Sequence, residues 1–412
     1  MHPALDIPEL MDKILGYLCK SDQKRCITIC RAWSELAIDY VWRYVDDSGP
    51  SDPSIAELAR LIAPVKKVTN TANRAHRASY DLERFHSKYS YCVRRLVVCH
   101  YPGLDDFTAL LSEISRTTPS SPILPNLHTL AWHKIDPEEE FAEPLAALLR
   151  NLPLLENVNM PGFRDISLIL SNLHRSKVLH SLDFQPFGGM DAVSCIGDFW
   201  SQLHEPFPVE ELGVTVVESR TIIPLLHHLP YLRILTLSVD MDDDLDRQSL
   251  FNSLSLFSFL TSVRLHFRPP VLEFNEVVGV LDCKNITHFS LGSSPLHMPD
   301  SDITQMALAW PQLKLLEVSR IRLVEWSGSR TGDPFTQKTS FWAVFVLTRL
   351  CPHLERLALY IDIKPRDTPP FNASSLPQRP QGQASHATQT ATANLREVDF
   401  GETAIYSEMK LF

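Results

Sequence analysis

The residue groups in this chain whose types suit chemistry lack the spacing that chemistry needs. Asp242-Asp243-Asp244-Leu245-Asp246 supplies the carboxylates of a calcium loop. Its sixth position is Arg247, where the turn needs Gly, and its twelfth is Ser253, where a bidentate Glu is needed. Such carboxylates suit the positive end of a helix instead. Cys26 and Cys30 stand one helical turn apart, but no His or Cys follows at zinc spacing and no C-x-x-C occurs. His227-His228 belongs to no H-E-x-x-H and reads as a helix C-terminus, while Glu138-Glu139-Glu140 reads as a first-turn acidic run. There is no G-x-S-x-G, no G-x-G-x-x-G and no G-x-x-x-x-G-K, and glycine is scarce at 14. The sequence therefore predicts no catalytic residue, no metal and no cofactor, and points to a binding protein.

Composition agrees with that reading. Net charge is −10, which argues against nucleic acid, whose binding is dominated by Lys and Arg on phosphate. No apolar run approaches the ~20 residues of a membrane span. Asp6, Glu9 and Asp12 stand where a signal peptide needs basic and apolar residues. The expected setting is the cytoplasm or nucleus, with reduced cysteines.

The elements that carry binding begin at the N-terminus. Ile7, Leu10, Met11, Ile14, Leu15 and Leu18 follow the i, i+3, i+4, i+7 pattern of one helix face. Asp6 is the expected N-cap, with Pro8 in the first turn and Glu9 completing a capping box. A second helix is expected from Ser21 to about Arg31, carrying Cys26, Ile29 and Cys30, with Trp33 just beyond it. A third short segment presents Leu36, Ala37, Tyr40, Val41 and Trp42. Three short helices cannot bury all this apolar surface among themselves.

These residues resemble the F-box. Ile7-Pro8-Glu9, Leu18, Asp22, Cys30-Arg31-Ala32-Trp33 and Trp42 match the family pattern in order and spacing, over roughly residues 5–45. Gln23 and Lys24 stand where the family places apolar residues. Asp81-Leu82-Glu83-Arg84-Phe85, followed by Val93-Arg94-Arg95-Leu96, resembles the start of the repeat region in many fungal F-box proteins.

Behind this stretch a Leu-x-x-Leu-x-Leu unit recurs, the strand signature of leucine-rich repeats. It starts at Val93, Leu127, Leu155, Leu179, Val209, Leu232, Leu260, Ile286, Leu313, Leu354 and Leu395. From Leu127 to Leu313 the intervals are 23–30 residues, and the last two are 41. Five units are entered through apolar-Pro-x-Leu, as in Leu229-Pro230-Tyr231-Leu232 and Trp310-Pro311-Gln312-Leu313. The proline is expected to stop the preceding helix and favour extended backbone. An amphipathic helix is expected over 137–150, with Asp136 as its cap.

The predicted fold is α/β: a three-helix F-box over 1–46, a helical linker over 47–91, and a leucine-rich-repeat solenoid over 92–412. The solenoid is a horseshoe with a parallel sheet on its concave face. A Pro-, Gln- and Ser-rich insert at about 364–394 is expected to be disordered. The residues between the leucines point outward and form the candidate substrate face: His133, Asn157, Asn159, Asp183, Arg264, His266, His288, Glu317 and Arg356.

The F-box resemblance implies a substrate receptor of a Skp–cullin–F-box ubiquitin ligase, not an enzyme. It implies docking on a Skp-type adaptor, and through it a cullin, by Ile7, Pro8, Leu10, Ile14, Leu15, Leu18, Ile29, Cys30 and Trp33. An unidentified protein would be the substrate, with no nucleic acid and no membrane as partner. The alternative is a leucine-rich-repeat interaction scaffold with no ligase role.

Overall fold

The computed structural model describes residues 7–46, 52–62, 82–99, 122–132, 142–161, 167–173, 176–185, 206–216, 218–239, 244–267, 272–293, 296–320, 339–359, 361 and 395–399. The insert at 364–394, His133, Asp6 and the expected helix start at 136–141 lie outside them. The chain divides into two units, Met1–Cys195 and Ile196–Phe412.

The first unit opens with α1 (Pro8–Tyr17), α2 (Lys20–Cys26) and α3 (Arg31–Trp42). Helix α1 starts one residue later than expected. Pro8 is its first residue, a position that suits a ring with fixed φ and no N–H, so Ile7 becomes the N-cap and makes no side-chain capping bond. Helix α2 ends at Cys26, five residues short of expectation. Ile27-Thr28-Ile29 is β-branched and poor for helix, and the chain turns there through Thr28 N–H to Arg25 O and Ile29 N–H to Cys26 O. Cys30 then caps α3, so Trp33 lies in the first turn of α3, which is the longest of the three helices.

Gln23 has a role that its departure from the F-box pattern did not announce. It is buried, and its Nε2 donates to Leu15 O at 2.8 Å and Leu18 O at 3.1 Å. These carbonyls lie at the end of α1, where the helix ladder runs out and Leu15 O also accepts the N–H of Leu18 at 3.2 Å. The amide thus ties α2 to the end of α1.

Helix α3 runs through Arg43 straight into strand β1 (Tyr44–Asp46), which pairs in parallel with β2 (Arg95–Val98). Arg43 O accepts the N–H groups of both Arg94 and Arg95. A boundary at residue 46 therefore cuts through hydrogen-bonded structure, and the helices are joined to the sheet with no linker. Helices α4 (Ile55–Ile62) and α5 (Leu82–Lys88) precede β2. Then come β3 (Thr129–Trp132), α6 (Ala142–Leu149), β4 (Asn157–Pro161), α7 (Ser167–Leu173) and β5 (Ser181–Gln185), with the strands parallel and in chain order.

The second unit repeats the scheme. Its elements are β6 (Glu211–Val216), α8 (Ile223–His227), β7 (Ile234–Val239), α9 (Asp244–Leu254), β8 (Ser262–Phe267), β9 (Leu272–Glu273) and α10 (Phe274–Val277). They continue with β10 (His288–Ser293), β11 (Leu296–His297), α11 (Asp300–Ala309), β12 (Leu315–Arg320), α12 (Trp342–Leu350), β13 (Arg356–Leu359) and β14 (Glu397–Asp399). The main sheet keeps chain order, and β9 pairs with β11 apart from it.

All eleven Leu-x-x-Leu-x-Leu units hold a strand that begins two residues after the unit's first apolar residue. The fourth position of each unit faces the fourth of its neighbour, as in Leu96↔Leu130, Leu212↔Leu235, Leu235↔Val263 and Leu316↔Leu357. Strands laid down in order by right-handed crossovers keep their helices on one face, unlike a doubly wound sheet. Burial alternates accordingly. In β7, Leu235, Leu237 and Val239 are buried, while Ile234, Thr236 and Ser238 are partly exposed.

The apolar-Pro-x-Leu entry is a tight turn, and the residue just before the proline has left helical backbone, with φ −123° and ψ 68° at Trp310. Leu232 N–H donates to Leu229 O at 3.1 Å and Leu313 N–H to Trp310 O at 3.0 Å. This is an i to i+3 β-turn with proline at its favoured second position. Phe257 to Leu260 and Cys283 to Ile286 close the same turn without proline, so the device is wider than its sequence signal.

Candidate partner-docking surfaces

Two surfaces present the candidate side chains, one in the N-terminal helices and one on the open face of the sheet. The helices pack around Met11, Leu15, Cys26, Trp33 and Ala37. The apolar arc of α1 is wider than that core requires. At about 100° per residue, Met11, Leu15 and Leu18 turn inward, while Ile7, Leu10, Ile14 and Tyr17 form an adjoining stripe. Ile7 is 49% exposed, Leu10 38% and Tyr17 90%. Ile29, in the turn after α2, is 55% exposed.

The expected adaptor residues therefore fall into two groups. Ile7, Pro8, Leu10 and Ile29 are exposed, and Ile14, Leu18 and Cys30 are half-buried. Leu15 at 0% and Trp33 at 6% exposure lie inside the bundle, where they hold its core and present no surface. Tyr17 was missed by sequence reading, although its spacing of seven from Leu10 and ten from Ile7 puts it on the stripe.

Polar contacts set the shape of this surface. Tyr40 Oη donates to Asp12, 2.9 Å from Oδ1, and so ties α3 to α1. Lys20 Nζ donates to Tyr40 O at 2.8 Å and pairs with Asp52 at 3.5 Å. Burial pulls the Lys20 ammonium below its usual pKa, and Asp52 opposes that pull. Arg43 pairs with Asp39 and lies over the Tyr40 ring, 4.4 Å from its centroid.

On the open sheet face, the described candidates lie in rows set by strand register. Thr129, Asn157 and Ser181 share one row, and Ala131, Asn159 and Asp183 the next. Asn159 Nδ2 donates to Asp183 at 2.8 Å. In the second unit, one row holds Gly213, Thr236, Arg264, Ser290, Glu317 and Ala358. A parallel row holds Thr215, Ser238, His266 and Gly292. His288 lies beside Ser262, and Arg356 beside Glu397. Ser290 Oγ donates to Glu317 at 3.1 Å, and Arg356 pairs with Glu397 at 2.7 Å.

Residues that suggested chemistry have structural positions. Arg247 and Ser253 are buried on α9, and Arg247 pairs with Glu276 of α10. Cys26 is part of the helical core. Burial pushes the Cys92 and Cys283 thiols up to about 11, which keeps them protonated and unreactive. Among the described residues, no group of three or more His, Cys, Asp or Glu could hold a metal ion. No helix there is long and apolar enough to cross a membrane.

His86, His228, His266 and His288 are all held below the ordinary imidazole value of 6.5, chiefly by burial. Between that value and the lower folded values, the unfolded chain binds more protons than the folded one. Stability is then expected to hold above about pH 6.5 and to fall as pH drops below it. Thermal melts across this range check the slope, which His266→Gln should make shallower. A melting temperature that rises on acidification would contradict it.

No protein-family model matches the chain, and no curated protein matches it.

Proposed function

We propose that α1–α3 form an F-box that docks on a Skp-type adaptor, and that the strand-turn-helix units behind it form a leucine-rich-repeat solenoid. The chain is then the non-catalytic substrate receptor of a Skp–cullin–F-box ubiquitin ligase, working in the cytoplasm or nucleus. The observation that carries this reading is the exposed stripe of Ile7, Leu10 and Tyr17, continued by half-buried Ile14 and joined by Ile29, on helices bearing the F-box residue pattern. Exposed apolar residues grouped on one helix face mark a binding site in a way that scattered ones do not. The strand register supports the second half, since it repeats with every Leu-x-x-Leu-x-Leu unit and leaves one sheet face open along a row of polar residues.

In this arrangement the chain supplies proximity. The helices attach to the adaptor, the open face holds a protein, and bond formation belongs to other subunits. Joining α3 to β1 through a single residue suits that task, because it leaves no slack between the helices and the first strand of the sheet.

Co-purification with a Skp-type adaptor tests the reading. The wild-type chain is expected to retain the adaptor, and Ile29→Asp or Leu10→Asp to weaken binding by about 2 kcal/mol or more, as for a central anchor. Both positions are exposed, so neither variant should lower the melting temperature appreciably. If both variants bind like wild type, the stripe is not the docking surface. If the wild type ignores the adaptor, a repeat scaffold without ligase work is left.

A further inference from the structure

Several polar side chains on the open sheet face are answered from within the face. Asn159 donates to Asp183, Ser290 to Glu317, and Arg356 pairs with Glu397. Strands β7 and β8 break this pattern. Arg264 is exposed and has no ion-pair partner or hydrogen bond among the described residues. The hydroxyls of Thr236, Ser238 and Ser262 and the ring of His266 likewise make no hydrogen bond there. Register sets Thr236 beside Arg264 and Ser238 beside His266, on strands about 4.8 Å apart. The nearest described carboxylate on the row is Glu317, two strands away and engaged by Ser290.

This is a cluster of hydroxyls and an imidazole with no hydrogen bond among the described residues, beside the fixed positive charge of Arg264, which can only donate, in a chain of net charge −10. We infer that the face over β7 and β8 binds an acidic protein segment, whose carboxylate or phosphate sits on Arg264 between the hydroxyls of Thr236 and Ser238. The inference rests on the proposed use of this face for substrate, and not on adaptor docking. A guanidinium takes either anion through paired N–H bonds, and neighbouring hydroxyls supply the remaining donors. A small free anion would gain little on an open face, because water screens an exposed charge pair. A polypeptide that covers the face excludes that water. A nucleic acid is held by several cations along its phosphates, where this cluster offers Arg264. Burial chiefly holds His266 below its usual pKa, with Arg264 adding to the pull and Glu317 opposing it, so His266 reports on what covers Arg264.

The test uses the full chain and three fluorescent probes: an oligoglutamate peptide, a Gly-Ser peptide with one phosphoserine, and an oligo-dT. Anisotropy at low salt should show binding of at least one peptide, weakened about tenfold or more by Arg264→Gln and only partly restored by Arg264→Lys, which keeps the charge and loses the paired N–H bonds. Arg356→Gln, on the same face but already paired, should leave binding unchanged. NMR of labelled histidines should show the His266 resonances shifting as the peptide binds. The two peptides separate carboxylate from phosphate. Peptide binding indifferent to Arg264, no peptide binding, or Arg264-dependent binding of oligo-dT alone would each overturn the inference. Adaptor binding measured on Arg264→Gln keeps the two proposals apart, because its loss from the wild type as well would sink the ligase reading and leave the anion site standing.

Discussion

Leu15→Asp is expected to melt the three N-terminal helices. Leu15 is fully buried against Met11, Cys26, Trp33 and Ala37, and a carboxylate there has no partner to offset its burial. The cost should be at least about 3 kcal/mol, borne by a small cluster of five buried residues. Hydrogen exchange should show lost protection over residues 8–42, with strands β6 to β13 still protected. Retained protection in α1 and α3 would contradict the packing. Leu15→Asp thus removes adaptor binding by destroying the surface, whereas Ile29→Asp changes the surface alone. Only the second reports on docking.

The second large effect is expected at Trp310→Ala. Trp310 is fully buried at the end of α11, where its ring packs on Phe289 with centroids 4.7 Å apart. Truncation should leave a cavity and cost about 3–5 kcal/mol. Trp310→Phe should cost much less than that. It keeps the aromatic packing, and the indole Nε1–H it removes is buried with no hydrogen-bond partner among the described residues. Urea denaturation of the three proteins gives the order wild type, Phe, Ala. Equal losses for Phe and Ala would show that the N–H matters more than the ring.

The repeat strands were legible because two signals in register marked them. An apolar residue at the first position of each unit is buried from Val93 to Leu354, and the strand follows two residues later. Strand β1 was not legible. Tyr44-Val45-Asp46 carries no leucine pattern, since Trp42 and Arg43 end a helix where other units have a turn. The turn before each strand was half legible. Proline marks five of them, but Phe257 to Leu260 and Cys283 to Ile286 adopt it with ordinary residues.

The helical surface was harder to read than the helices. Periodicity puts Leu15 and Ile14 on the same apolar arc, and only packing tells the buried half from the exposed half. Tyr17 was overlooked because a tyrosine at the end of a pattern of aliphatics reads as an edge. Gln23 looked like a misfit because its type is polar, yet the carbonyls it serves belong to another helix. The donor group around Arg264 was hidden for a related reason. Arg264 and His266 were evident as outward residues, but their lack of partners depends on strand register.

Titration calorimetry of the wild-type chain with a Skp-type adaptor tests the central claim most directly. A saturable one-to-one complex, weakened by Ile29→Asp at unchanged melting temperature, is the predicted result. No heat of binding from a chain whose helices are intact by hydrogen exchange would contradict it.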